Sequence, residues 1–262
     1  MNFRQLIKNF EELNLDKTRP VLVHAAASSL GKLTGGPEQL VGALLKSFPS
    51  ILTPSFTFKT MIIPETGPPN NAVEYGTRAD LNKMAELFYP DMPADPRLGV
   101  FAEAFRKHPE ANRSTHPILS FAGINAEKYL NAQSLSKPLG PIAALSEDTG
   151  YIMLIGVDHT KNTSIHLGEK LAGRKSFTRW ALVSDMVAEC PGFPSCSEGF
   201  NSVMTYMSPF ITFAKIGDAE VQVMQSHVLI KTVQHMITAN PGVLLCERDN
   251  CPRCQAVRAE LE

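Results

Sequence analysis

Residues Pro20 to Phe48 read PVLVHAAASSLGKLTGGPEQLVGALLKSF, and the order of three textures within them decides the fold class. Pro20-Val21-Leu22-Val23-His24 is a short apolar run with the composition of a buried strand. AAASSLGKLTGG follows as a loop of small residues. Then Leu40, Val41, Leu44 and Leu45 recur on one helical face, and Pro37 after Gly36 suits a first helical residue. Strand, small-residue loop and helix make one α/β unit. Ser50-Ile51-Leu52-Thr53-Pro54 returns as a second strand.

The same reading extends in both directions. Upstream, Phe3, Leu6, Ile7, Phe10 and Leu13 recur at helical spacing and predict an amphipathic first helix. Downstream, Ser55 to Arg97 is rich in Pro, Gly and Asn. It reads as a long irregular excursion with at most one short helix around Leu81 to Phe88, and loops of that length are often functional. A helix over Gly99 to Lys107 comes next, then a strand at Ile118 to Ala122. A short helix at Pro141 to Leu145 precedes an apolar strand at Tyr151 to Val157. Beyond Phe177 the pattern loosens. It predicts a strand at Thr178 to Val183, a Pro/Gly/Cys loop over Glu189 to Ser202, one or two strands between Phe210 and Met224, and a helix over Ser226 to Ala239. No linker or repeat interrupts it. The expectation is a single domain over residues 1–262, with the cysteine-bearing part 186–262 following the pattern most loosely. Its architecture is an α/β/α sandwich with a mixed central sheet and long excursion loops.

With 44% hydrophobic and 19% charged residues in 262, the composition is that of a soluble globular protein and excludes a disordered one. A net charge of −1 gives no reason to expect nucleic acid or an anionic membrane as partner. No apolar stretch is long enough to span a bilayer, and MNFRQLIKNFEEL lacks a signal-peptide core. A cytoplasmic protein is the expectation.

Four stretches carry chemistry. HAAASSLGKLTGG ends a strand and feeds a helix, so it reads either as a cradle of bare backbone N–H groups for an anion or as a tight structural turn. In ANRSTHP, Arg113 is suited to a phosphate or carboxylate and His116 is held extended before Pro117; the alternative is a surface loop. In NTSIHLGE, a helix capped by Asn162, Thr163 or Ser164 places His166 in its first turns with Glu169 one turn on, on the same face. That pair reads as a general base with its orienting carboxylate, as half of a metal site, or as two solvated residues. The fourth is cysteine. Cys251 and Cys254 form a C-x2-C that suggests zinc, with Cys190 and Cys196 as the closing pair; free thiols are the alternative.

In order and spacing these stretches resemble the aminoglycoside 3-N-acetyltransferase family. The family's Val-His-Ser-Ser loop ending in Leu-Gly corresponds to VHAAASSLGKLTGG. Its Asp-x-x-x-x-Gly, helix and Arg-Ser-x-His-Pro run corresponds to DPRLGVFAEAFRKHPEANRSTHP, with one residue fewer between Asp95 and Gly99. PLGPIAAL and LIGVDHTKNTSIHLGE complete the set, and the resemblance covers Leu6 to about Glu169 well and the remainder loosely. It implies an acetyl-CoA-dependent N-acetyltransferase of the antibiotic-resistance type, moving an acetyl group to an aminoglycoside or related small amine. His166 would be the general base and Glu169 its support. The resemblance implies that His24, Ala25, Ala26, Ala27, Ser28, Ser29, Leu30 and Gly31, with Arg113 and Ser114, hold CoA. It also implies that Glu103, His116, Asn162 and Thr163 face the acceptor. The expectation is a monomer or homodimer, with zinc, on the cysteine spacing alone, as a further component. Where the family usually has two serines after the first histidine, this chain has Ala25 and Ala26, so no hydroxyl reaches CoA from there. Asp91, Asp95 and Glu103 are candidate carboxylates for a cationic acceptor. A relative without acetyl transfer, acting as a zinc-stabilised binding protein, is the alternative.

Overall fold

A computed structural model describes residues 1–76, 82–184 and 186–261. Strands β1 (Val21–Ala25), β2 (Ile51–Pro54) and β6 (Tyr151–Ile155) run parallel, with β1 in the middle. Four further strands join them antiparallel: β4 (Asn112–Arg113), β5 (Phe121–Ile124), β9 (Thr212–Ile216) and β10 (Ala219–Gln225). The seven-stranded order is β4-β5-β2-β1-β6-β10-β9. The predicted mixed sheet is therefore present.

Side chains alternate along these strands and feed two cores. Val21 and Val23 of β1, with Met153 and Ile155 of β6, pack beneath the helices Phe3–Glu12, Gly36–Ser47 and Gly99–Arg106. Leu22 of β1, with Ile152 and Leu154 of β6, packs on the other face with the helices Gly140–Glu147, Ile165–Leu171 and Ser226–Ala239. Each fully buried aliphatic side chain contributes roughly 1.5–3 kcal/mol, which is why strands this short hold their register. The α/β/α sandwich follows from that alternation.

A second, antiparallel sheet of β3 (Met61–Ile62), β7 (Phe177–Val183) and β8 (Met186–Phe193) covers the second face. Here the structure corrects the sequence. The first five residues of the loop expected over Glu189 to Ser202 are strand, up to Phe193, because β8 lies at a sheet edge where Pro191 needs no ladder partner. The strand expected at Ile118 begins instead at Phe121. Ile118 and Leu119 form a turn whose N–H groups both donate to His116 Nδ1, each at 3.1 Å. The helix expected from Leu81 falls partly outside the described residues; within them, a turn follows Asn82 and Phe88 bridges to Val183. Helices Glu127–Leu130 and Pro252–Arg258 were not predicted. No helix among the described residues is long and apolar enough to cross a membrane.

Candidate active site

The three parallel strands end side by side at Ala25, Pro54 and Ile155, and α/β sheets bind ligands outside such carboxyl ends. A cavity of about 200 Å³ opens there, lined by His24, Ala25, Ala26, Thr53, Pro54 and Val157, with Arg97 and Lys161 at its rim. Of the eight residues His24 to Gly31 assigned to CoA, the first three line it. Ala27 and Leu30 are buried in the core instead, Ser28 is exposed, and Ser29 Oγ donates to Ala26 O at 2.7 Å. The N–H of Ala26 is engaged by Ile155 O, and the first bond of the following turn is from Ser29 N. The N–H groups of Ala27 and Ser28 precede that bond, as at any helix start. Gly156, at φ +61°, is needed here: a Cβ would fall 1.6 Å from Ser29 Oγ. Burial, reinforced by the nearby His159, lowers the His24 pKa to about 3, so its imidazole is neutral.

His166 and Glu169 lie on the helix Ile165–Leu171, whose cap is Ser164. His166 Nδ1 stands 2.7 Å from Glu169 Oε2. The carboxylate is 3% exposed and fully engaged: Ser195 Oγ donates to Oε2 at 2.7 Å and Arg174 Nη1 to Oε1 at 2.8 Å. Arg174 also donates to Pro241 O and Val243 O, which anchors it to the chain after the helix Ser226–Ala239. Burial alone would raise the Glu169 pKa. The bonds from His166, Arg174 and Ser195 outweigh it and hold the group below the usual carboxylate range. An ionised Glu169 can only accept, so His166 Nδ1 is the donor in this contact. The His166 ring stands edge-on to Phe200, with centroids 4.7 Å apart. Gly168 allows the helix to close on Val233, where a Cβ would come within 2.6 Å. A surface pair is excluded by this burial.

His166 lines a second cavity, of about 270 Å³, with Asn162, Thr163, Ser195, Ser197, Glu198 and Arg253. Arg97, Leu98 and Lys161 line both cavities, so one cleft runs from the strand ends to the imidazole. Asn162 and Thr163 line this second cavity. Asn162 Oδ1 accepts from Ser164 N at 3.2 Å and its amide reaches His159 Nδ1 at 3.3 Å. Nothing in the sequence pointed to Arg174, Ser195 or Lys161.

Four other candidates are not brought to this cleft. Arg113 donates to Ser120 Oγ at 3.0 Å, to Pro90 O at 3.2 Å, and to the carbonyls of Met92 and Ser55. Burial pushes its pKa down to about 10. Ser114 Oγ accepts from Phe121 N at 2.8 Å. His116 is 3% exposed with its Nδ1 taken by the turn at Ile118, and burial lowers its pKa to about 4. These three hold the excursion to the sheet. Glu103 accepts from Arg106 and Ala94 N and pairs with Lys107 at 3.2 Å. Burial opposes its ionisation, but these donors prevail and hold its pKa at about 2. Asp95 is likewise held by Arg97.

The cysteines also rearrange. Cys196, Cys251 and Cys254 converge with Cys246, not with Cys190, and all four Sγ atoms lie within 4.8 Å of one another. Cys190 is buried in the main core, where burial pushes its thiol up to about 12.

The family model described as aminoglycoside 3-N-acetyltransferase matches residues 22–238. The chain belongs to that family. Among curated 3-N-acetyltransferase relatives, the SPbeta prophage-derived aminoglycoside N(3')-acetyltransferase-like protein YokD of Bacillus subtilis (strain 168) is 30% identical over 176 residues. That alignment covers 63% of this chain and 64% of YokD, so the match spans under two thirds of that relative. Among solved structures, apo aminoglycoside acetyltransferase AAC(3)-IVa is 23% identical with a TM-score of 0.79, covering 98% of this chain and 96% of that one. A binary complex of AAC-IIIb with CoASH is 19% identical with a TM-score of 0.76, covering 91% and 97%. These likenesses establish that the fold is that of the family.

Proposed function

We propose that this protein transfers the acetyl group of acetyl-CoA to an amine of an aminoglycoside or related small amine, with His166 as general base, and that the whole chain works as one domain. The observation that carries the reading is the buried 2.7 Å contact between His166 Nδ1 and an engaged, ionised Glu169, at a cleft continuous with the strand ends. The AAC-IIIb complex with CoASH and the names of the relatives support the choice of cosubstrate and acceptor.

The acceptor nitrogen attacks the thioester carbon with its lone pair. As the C–N bond forms, His166 Nε2 takes the departing N–H proton, and Glu169 stabilises the resulting imidazolium. Collapse of the tetrahedral species breaks the C–S bond, and the CoA sulfur leaves with the electron pair and receives the proton. No covalent enzyme intermediate is required, so no cysteine serves as nucleophile. The small side chains of Ala25 and Ala26 leave room for the pantetheine arm, and Lys161 supplies positive charge to the cleft.

The alternative of a zinc-stabilised binding protein without transfer finds no support in the comparisons, whose relatives are named acetyltransferases or acetyltransferase-like. His166→Ala is expected to lower the rate of CoA release by about 10²–10⁴-fold while acetyl-CoA binding, measured by calorimetry, persists. Release at the wild-type rate overturns the reading.

A further inference from the structure

We infer that Cys196, Cys246, Cys251 and Cys254 bind one zinc ion, and that this zinc holds Ser195 against Glu169, making Ser195 a positioning residue for His166. The second half rests on the proposed role of His166; the first does not.

All four thiols are buried and none is in a disulfide. Their sulfurs lie within 4.8 Å of one another, while a tetrahedral zinc with Zn–S of ~2.3 Å needs about 3.8 Å between sulfurs. A small contraction closes the site. Four uncharged thiols packed together gain little over four alanines. Here, however, a backbone donor and a guanidinium are aimed at the sulfurs. Cys246 N donates to Cys254 Sγ at 3.4 Å. An N–H donated to a ligand sulfur is a contact that suits a metal-bound cluster. Arg248 Nη2 lies 3.8 Å from Cys196 Sγ, a cation placed to offset the net −2 of a zinc with four thiolates. Four protein ligands leave no open position, so the site is structural.

The ion would join the segment after β8 to the helix Pro252–Arg258, some fifty residues further along the chain. Both sides are already shaped for contact. A Cβ on Gly199 would fall 2.5 Å from Leu244 O, and Arg253, between two ligands, donates to Ser195 O at 2.8 Å. Ser195 is one peptide bond from Cys196 and 2.7 Å from Glu169 Oε2. Zinc thus fixes the backbone that carries the Ser195 hydroxyl to the carboxylate.

The test uses the full chain, purified without chelator. Metal analysis is expected to find zinc equimolar with protein, released as an organomercurial titrates the thiols. Cobalt exchange is expected to give the visible bands of tetrahedral Co–thiolate. Cys190→Ser is expected to retain the zinc and Cys251→Ser to lose it. If Cys251→Ser does not fold, the wild-type stoichiometry and cobalt spectrum still decide. A metal-free wild-type chain that gains no zinc on dialysis against it, or one whose four thiols prove to be disulfides, overturns the site. For the positioning role, Ser195→Ala is expected to keep its zinc, lower kcat roughly tenfold with KM little changed, and move the acid limb of the pH profile upward. Full kcat with an unmoved profile overturns the role while leaving the metal site intact.

Discussion

Two buried histidines, His166 and His116, sit in equally distinctive stretches of sequence, and their surroundings separate them. His166 meets a carboxylate that Ser195 and Arg174 also hold, and its ring lines the cleft. His116 meets two backbone N–H groups, and its Nε2 is buried without a partner. Arg113 and Ser114, beside His116, are engaged with the sheet and the excursion in the same way. A polar side chain whose hydrogen bonds go to the surrounding fold, away from any cavity, acts as scaffold. One that keeps an acceptor at a cavity is available for chemistry.

The sharpest way to break that contrast is at the carboxylate. Glu169→Gln keeps the volume, but it turns one of the two acceptor oxygens into a donor and removes the charge that orients Nδ1 and would steady an imidazolium. Turnover is expected to drop on the order of 10²–10³-fold, with acetyl-CoA affinity unchanged. Steady-state kinetics alongside calorimetry checks it, and unimpaired turnover would move the base elsewhere.

On the other side of the contrast, Arg113→Met should damage stability and spare chemistry. It leaves the carbonyls of Ser55, Pro90 and Met92 without their charged donor, at a cost of about 3 kcal/mol. For a chain of this size that corresponds to a Tm about 6–12 °C lower. Folded Arg113→Met is expected to turn over within about threefold of wild type. A large loss of acetyl-CoA binding with an unchanged Tm would restore Arg113 to the CoA site.

The unequal legibility of these regions has a physical basis. The parallel strands and their helices were readable because alternating or helical apolar periodicity is a local property, and NTSIHLGE placed His166 and Glu169 one turn apart. Whether a side chain is free depends on partners distant in sequence. Arg113 is occupied by Ser55, 58 residues away, and Glu169 is held by Ser195, 26 residues away. Cys246 takes the place that spacing alone gives to Cys190. Its place beside Cys254 is set by the chain's return after the helix Ser226–Ala239. Pro191 and Gly192 disguised β8, since a sheet edge tolerates both and the sequence does not mark an edge.

The smallest expected effect concerns the pH response of the scaffold histidine. His116 has its pKa lowered by burial from 6.5 to about 4, so between those values the unfolded chain binds a proton that the folded chain refuses. Stability from this group is therefore fully present above pH 6.5 and is lost as pH falls through about 4. His24, at about 3, acts in the same direction over a lower range. His116→Asn offers an acceptor oxygen near the position of Nδ1 but does not titrate. Its denaturation midpoint should decline less steeply than that of wild type between pH 6.5 and 4, with the two curves parallel above pH 7. Urea melts across that range measure it. A wild-type slope retained in His116→Asn would mean that His116 is protonated in the folded chain, and so is reachable by solvent in a way that would return it to the acceptor side of the cleft.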